Sequence, residues 1–153
     1  MKRFILISIG ITAISLSGLY SQAFRNNRID AEKIAFFTKR MELSPQEAEK
    51  FWPVYNDYTS RKEKLTLDKN SLLRYLNQNY RNLSDAELEE SSDKFINFAL
   101  QEAGLAKEYH NKFKEVLPPS KVVRLYNSEM QFKTLLLNQL RDQREQQPVR
   151  RRL

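Results

Sequence analysis

Apolar residues recur every three or four positions along most of the chain, which is the spacing of one face of an α-helix. No segment alternates apolar and polar residues as a half-buried strand does, and two of the 3 glycines stand before residue 20. The pattern therefore predicts an all-α protein. We expect about four helices joined by short loops and packed as an elongated antiparallel hairpin or bundle.

The first two predicted helices each have one apolar face. A short helix is expected from Asp30 to Glu42, with Ile34, Phe37 and Met41 on one side. The second helix is expected to run for about 35 residues, since its apolar positions follow one another at steps of three, four or seven. These positions are Phe51, Tyr55, Tyr58, Leu65, Leu72, Leu76 and Tyr80.

Two short segments have the sequence of a helix start. In each, a leucine precedes a serine, and a glutamate follows the serine after three residues. The serine hydroxyl caps the first turn and the glutamate returns a hydrogen bond to the serine N–H, which together make a capping box. Pro45 suits the first of these starts, because a proline at the first helical position loses no hydrogen bond. The two motifs consist of Leu43, Ser44 and Glu47, and of Leu83, Ser84 and Glu87.

The third helix is expected to follow Ser84 and to stop at Val116 or Leu117, because the residue before a proline is pushed out of the α region. The fourth is expected from about Pro119 to Gln146. Their predicted stripes consist of Leu88, Ser92, Phe95, Ala99, Glu102, Ala106, Tyr109, Phe113 and Val116 in the third helix, and of Val122, Leu125, Phe132, Leu136 and Leu140 in the fourth.

Pro53 lies inside the predicted second helix. A proline there removes one backbone hydrogen bond and clashes with the carbonyl four residues back, which bends a helix that is well packed on both sides of it. We therefore predict a kink at Pro53. The kink fits a curved, cradle-like body, and it fits a helix that follows a globular core equally well.

Seven apolar side chains fall outside the predicted stripes. A thin layer of helices cannot bury them all, so a wider core, a second subunit or a bound client must cover them. They are the candidate residues of a client or dimer surface: Trp52, Leu67, Leu73, Leu100, Leu105, Val123 and Leu137.

The first residues have the pattern of a signal peptide. Two basic residues precede an apolar run over 4–20, and small residues precede a predicted cleavage between Ala23 and Phe24. The run is short of the roughly 20 apolar residues of a spanning helix. We expect residues 1–23 to be removed on export to the periplasm; a retained anchor in the inner membrane is the alternative.

The net charge of +7 is concentrated at the two ends of the chain. Residues 148–153 contain three arginines and are expected to form a disordered basic tail, a candidate for contact with anionic membrane lipids. The predicted single domain over 24–147 lacks a strongly basic surface, so no nucleic acid is expected as a partner.

The composition also argues against catalysis. His110 is the single imidazole and there is no cysteine, so neither a Ser-His-Asp nor a Cys-His arrangement is available. The chain has no glycine-rich phosphate loop. Carboxylates such as Glu87, Glu89 and Glu90 fall in a helix first turn, where they favour the helix dipole. We therefore predict no enzymatic activity, no cofactor and no metal site.

The segments Leu43-Ser44-Pro45-Gln46-Glu47 and Leu83-Ser84-Asp85-Ala86-Glu87 resemble the paired LTxxQ signatures of the Spy/CpxP-like periplasmic proteins, with Ser for Thr and Glu for Gln. Two longer stretches, RIDAEKIAFFTKRMELSPQEAEKFWPVYNDY and LPPSKVVRLYNSEMQF, resemble small exported proteins described as sensors of ECF-type sigma factors or periplasmic heavy-metal sensors. The likeness covers about residues 28 to 140. Metal sensing is not expected, because suitable Cys, His and Met ligands are missing.

The resemblance implies an all-α periplasmic protein of Gram-negative bacteria, often a cradle-shaped homodimer, that binds unfolded proteins or senses envelope stress. We expect an ATP-independent, chaperone-like protein that holds exposed segments of unfolded or envelope proteins on a helical surface. One alternative is a signalling protein that docks on a membrane sensor or an anti-sigma factor. A structural role at the envelope, through the basic tail, is a third.

Overall fold

A computed structural model describes residues 29–146 of the chain, and these residues form four α-helices and no strand. Helix α1 covers residues 29–41. Helix α2 runs over Pro45–Asn79 and is followed by a 3₁₀ turn at Tyr80–Asn82. Helix α3 covers Asp85–Val116 and α4 covers Pro119–Gln146. The predicted all-α class and the four helices are confirmed.

Several predictions concern parts or properties that the structure does not describe. The signal peptide over 1–23, its cleavage between Ala23 and Phe24 and the basic tail over 148–153 lie outside the described residues. The elongated shape, the single domain over 24–147 and the homodimer stay predictions. Helix α2 continues through Pro53, whose ring is exposed, and the kink at this residue likewise stays a prediction.

The chain divides into two compact units. The hairpin unit, Leu43–Arg124, contains α2, α3 and the first residues of α4. The terminal unit contains α1 and the rest of α4, which are residues 29–42 and 125–146 of the described chain. Each unit has its own apolar contacts, and they are described separately.

The hairpin unit is built around a cluster of aromatic rings, which we call the aromatic base, where α2 and α3 run antiparallel. The ring centroid of Phe113 lies 5.8 to 6.3 Å from those of four other rings, and Tyr58 lies 5.1 Å from Tyr109. All five side chains are buried. The aromatic base consists of Phe51, Tyr55, Tyr58, Tyr109 and Phe113.

Burial decreases from the aromatic base toward the turn between α2 and α3. Leu65, Leu72 and Leu76 are only half-buried although they continue the predicted α2 stripe. Tyr80, the last residue of that stripe, is 64% exposed. It lies in the 3₁₀ turn, whose three residues per turn rotate its side chain out of the α-helical phase.

The buried face of α3 differs from the predicted stripe by one residue in its first half. Ser92, Ala99 and Ala106 are exposed, and the residues that precede each of them face inward instead. This rotation removes more apolar area from water, because it turns larger side chains toward α2 in place of two alanines. The inward-facing residues are Ser91, Phe98 and Leu105.

The terminal unit packs α1 antiparallel to the second part of α4. The ring of Phe132 lies 5.5 Å from that of Phe36 and 5.9 Å from that of Phe37. Farther along, the Gln139 amide donates a hydrogen bond of 3.0 Å to Glu32. Helix α1 ends at Met41, and the next residue, Glu42, has a φ of 52°, in the left-handed region where a chain commonly leaves a helix.

Candidate interaction surfaces

Both predicted capping boxes are formed. At the start of α2, the Ser44 hydroxyl accepts a hydrogen bond of 3.2 Å from the Glu47 N–H, and the Glu47 carboxylate accepts one of 2.7 Å from the Ser44 N–H. At the start of α3, Ser84 and Glu87 exchange the same bonds at 3.4 and 2.8 Å. Leu43 is buried ahead of the first box. These residues fix helix starts, so their side chains are occupied within the fold.

The first box has an additional partner in the hairpin unit. Lys121, in the first turn of α4, donates a hydrogen bond to the Glu47 carboxylate, and both side chains are mostly buried. The pKa of Glu47 lies below its ordinary value, mainly because of this hydrogen bond and secondly because of the one from the Ser44 backbone N–H. The start of α2 is thereby tied to the start of α4 by a charge-assisted contact.

Polar side chains surround the aromatic base. The buried Tyr109 hydroxyl donates a hydrogen bond to Asp57, and this bond lowers the pKa of the carboxyl. The pKa of Tyr109 is raised, mainly by burial of its hydroxyl and secondly by this hydrogen bond. Arg61 lies 3.4 Å from Asp57 and 3.8 Å from Glu108, and Lys112 lies 2.7 Å from Glu108. These acids and bases are paired with each other, so the cluster serves packing.

The side of α4 that faces away from its buried residues carries a second row of apolar side chains, which we call the α4 stripe. Its four members are between 41 and 65% exposed. Their spacing of four, seven and three residues keeps them on one helix face. Lys133, also exposed, occupies the gap in the row. The α4 stripe consists of Tyr126, Met130, Leu137 and Leu140, all in the terminal unit.

The outer side of α3 carries a shorter apolar area, which we call the α3 patch. Ile96 and Leu100 are 64 and 65% exposed, and the small side chains of Ala99 and Ala103 lie beside them. The sequence between Lys94 and Lys107, FINFALQEAGLA, contains one charged residue, Glu102. Its carboxylate is on the side that faces α2, 3.9 Å from Lys69. The α3 patch is therefore apolar and uncharged.

Five of the seven predicted surface residues are exposed, and two are not. Trp52 and Leu105 are half-buried, because Trp52 packs edge-on at 5.0 Å against Phe51 and Leu105 belongs to the inward face of α3. Leu137 belongs to the α4 stripe and Leu100 to the α3 patch. The remaining three exposed residues are Leu67, Leu73 and Val123.

Sequence reasoning missed most of both surfaces. Leu140 and Ile34, which the pattern places on the apolar faces of α4 and α1, are about half exposed. Met130 and Tyr126 were not recognised, although their spacing with Leu137 repeats the three-and-four pattern of a helix face. A search for a second apolar face on α4 would have found them, since that pattern is present in the sequence.

Other kinds of site find no support in the described chain. Among residues 29–146, no helix is long and apolar enough to cross a membrane, and no group of three His, Asp or Glu side chains is placed to hold a metal ion. His110 is half-buried in α3. Comparison with family models, with curated proteins and with solved structures found no match for this chain.

Proposed function

We propose that this protein is a periplasmic, ATP-independent binding protein of the chaperone type, which holds exposed apolar segments of other proteins. The observation that carries the proposal is the α4 stripe. Four large apolar side chains, each between 41 and 65% exposed, lie on one helix face, and clustered exposed apolar side chains mark interaction sites. From Tyr126 to Leu140 the helix rises by 14 residue steps, or about 21 Å at 1.5 Å per residue.

The composition of the α4 stripe suits many different clients. Met130 has a flexible, polarisable side chain that adapts to differently shaped apolar partners, as methionine does at promiscuous binding surfaces. Tyr126 offers an aromatic face with a polar end. Lys133 adds a positive charge inside the row, which favours apolar segments that also carry an acidic residue.

The size of the stripe implies weak and reversible binding. Burying a large apolar side chain fully is worth roughly 1.5 to 3 kcal/mol, and these side chains are already about half covered. Four of them therefore contribute on the order of 4 kcal/mol, which is no more than the association cost itself, so a client must add contacts of its own and tight binding is not expected. Such binding holds a client briefly without trapping it, which fits a chaperone better than a permanent complex.

The proposal is tested by aggregation of a reduced, unfolding client such as α-lactalbumin, followed by light scattering. Protein purified from cells that express the full chain is added in equal molar amount. We expect wild type to suppress aggregation and the double variant Met130→Gln/Leu137→Gln to lose most of this effect. Leu67→Gln is the matched control, because Leu67 is equally exposed but isolated on α2.

Two results would overturn the proposal. One is an unchanged aggregation curve in the presence of wild-type protein. The other is full suppression by the double variant, provided its circular dichroism spectrum matches that of wild type. Capture of one dominant membrane partner through the α4 stripe, without any effect on the client, would favour a signalling role instead.

A further inference from the structure

The sulfur atoms of this protein are few and differ sharply in exposure. The chain has no cysteine and 3 methionines, so every sulfur atom belongs to a thioether. Met130, in the α4 stripe, is 65% exposed, whereas Met41, at the end of α1, is 0% exposed. Both lie in the terminal unit, and Met1 lies outside the described residues. A reagent that attacks sulfur from solvent therefore reaches Met130 in the folded unit, and it reaches Met41 only when the unit opens.

An exposed thioether reacts with two-electron oxidants such as hydrogen peroxide. One oxygen atom is transferred to the sulfur as the O–O bond of the peroxide breaks, water is released, and the two electrons that the sulfur gives up reduce the peroxide. The product, methionine sulfoxide, is polar where methionine is apolar. Cysteine thiolates compete for such oxidants in most proteins, but this chain has none, and the surroundings of an exported protein are oxidising.

We propose that Met130 is an oxidation site that controls the α4 stripe, which binds clients while Met130 is a thioether and releases them when it is a sulfoxide. This inference rests on the proposed client binding and names its regulation. The position of Met130 supports it, because Tyr126 precedes it by four residues and Leu137 follows it by seven. A client segment that covers the stripe along its length must therefore cover Met130 as well.

Oxidation weakens such a contact in two ways. It removes one of the four apolar side chains of the α4 stripe, and it adds an oxygen that an apolar client segment cannot hydrogen-bond. The intact stripe contributes no more than the association cost, so no surplus of binding compensates for these losses. We expect the affinity for an apolar client to fall by about fivefold or more.

The modification is reversible, which makes it suitable for regulation. Methionine sulfoxide reductases, one for each sulfoxide epimer, return the sulfoxide to the thioether. In this reaction two thiols are oxidised to a disulfide, and the sulfoxide oxygen leaves as water. The α4 stripe would then bind clients again without new synthesis of the protein.

The site itself is tested by peptide mapping. Protein purified from cells that express the full chain is treated with hydrogen peroxide, and sulfoxide formation is followed over time by mass spectrometry. Trypsin places Met41 and Met130 in separate peptides, 41–50 and 125–133. We expect Met130 to be oxidised about tenfold faster than Met41 or more, because Met41 must wait for the terminal unit to open. Equal rates would overturn the assignment of the site.

The control of client binding is tested by α-lactalbumin aggregation after the peroxide has been removed. Met130→Leu keeps an apolar side chain of similar size that cannot be oxidised, and Met41→Leu is the matched control that retains Met130. Half suppression should require about fivefold more oxidised than untreated wild type, and the same for Met41→Leu. Met130→Leu should be unaffected by the treatment. Both reductases with a thiol should restore the oxidised wild type.

Three results would overturn this regulation. One is undiminished suppression by wild type that is fully oxidised at Met130. Another is an equal loss of suppression by treated Met130→Leu. The third is a loss of helical circular dichroism on oxidation, which would assign the effect to unfolding. Failure of untreated wild type to suppress aggregation would count against client binding and its regulation together, whereas the peptide map uses no client and decides the oxidation site by itself.

Discussion

Phe113 is the residue on which the packing of the hairpin unit depends most. Its side chain is 2% exposed, and it is the one member of the aromatic base within 6.3 Å of all four others. Replacing it by alanine removes every one of these ring contacts at once and leaves a cavity between α2 and α3. We expect Phe113→Ala to be strongly destabilising.

The magnitude follows from the burial and the neighbours. Phe→Ala substitutions in cores cost about 3 to 5 kcal/mol, and aromatic pairs contribute roughly 0.5 to 1.5 kcal/mol each beyond area burial. Complete burial among four rings places Phe113→Ala in the upper half of that range, at about 4 kcal/mol. Since whole domains are stable by about 5 to 15 kcal/mol, the variant retains little stability.

The assay is urea unfolding followed by circular dichroism at 222 nm, with Phe98→Ala as the matched control. Phe98 lies on the same helix and faces inward, but it is only half-buried and no described ring packs against it. With a urea dependence of about 2 kcal/mol per molar, Phe113→Ala should lower the midpoint by about 2 M. We expect roughly half of that shift for Phe98→Ala.

A shift for Phe98→Ala as large as that for Phe113→Ala would refute this reasoning. It would mean that stability is spread evenly along α2 and α3, and that the aromatic base is not where the hairpin unit is held together. A change in the slope of the transition, without a change in midpoint, would point to an altered unfolded state instead.

Three further predictions concern single side chains. Ser44→Ala and Ser84→Ala should each cost about 1 kcal/mol in urea unfolding, with the larger loss at Ser44, whose box also binds Lys121; equal losses would contradict this. Tyr109→Phe should lower the melting temperature by a few degrees at pH 7. The Tyr109 hydroxyl lowers the pKa of Asp57, so the stabilisation by this hydrogen bond is complete above the ordinary carboxyl pKa of 3.8 and is lost as the pH falls through the lower pKa of the folded state. The difference in melting temperature between Tyr109→Phe and wild type should therefore be smaller at pH 3 than at pH 7. An unchanged difference would exclude this cause. Pro53→Ala should raise the free energy of unfolding by about 1 to 3 kcal/mol, because it restores a helical hydrogen bond; a decrease would show that neighbouring packing requires the proline.

The helix boundaries were predictable because their causes are local. Ser44 with Glu47, and the prolines that follow Leu117, act within a few residues, and α2, α3 and α4 begin where these signals stand. The inward face of α3 was not predictable in the same way. Whether Ser91 or Ser92 faces α2 depends on which rotation of α3 buries more area against the neighbouring helix.

The exposed surfaces depend even more on tertiary structure. The spacing of Leu137 and Leu140 is equally compatible with a buried and an exposed face, and only the packing of α1 against Phe132 determines which face of α4 stays in solvent.

The aromatic base lies at the open end of the hairpin unit, whereas its weakly covered part lies at the turn. Helical hairpins usually exchange amide protons fastest at the free ends of their helices, but here the packing predicts the reverse order. Amides near Leu76 and Leu88 should exchange by local opening, while those near Tyr55 and Phe113 should exchange only when the whole unit unfolds. Helices α2 and α3 therefore separate at the turn many times before the hairpin unit unfolds once.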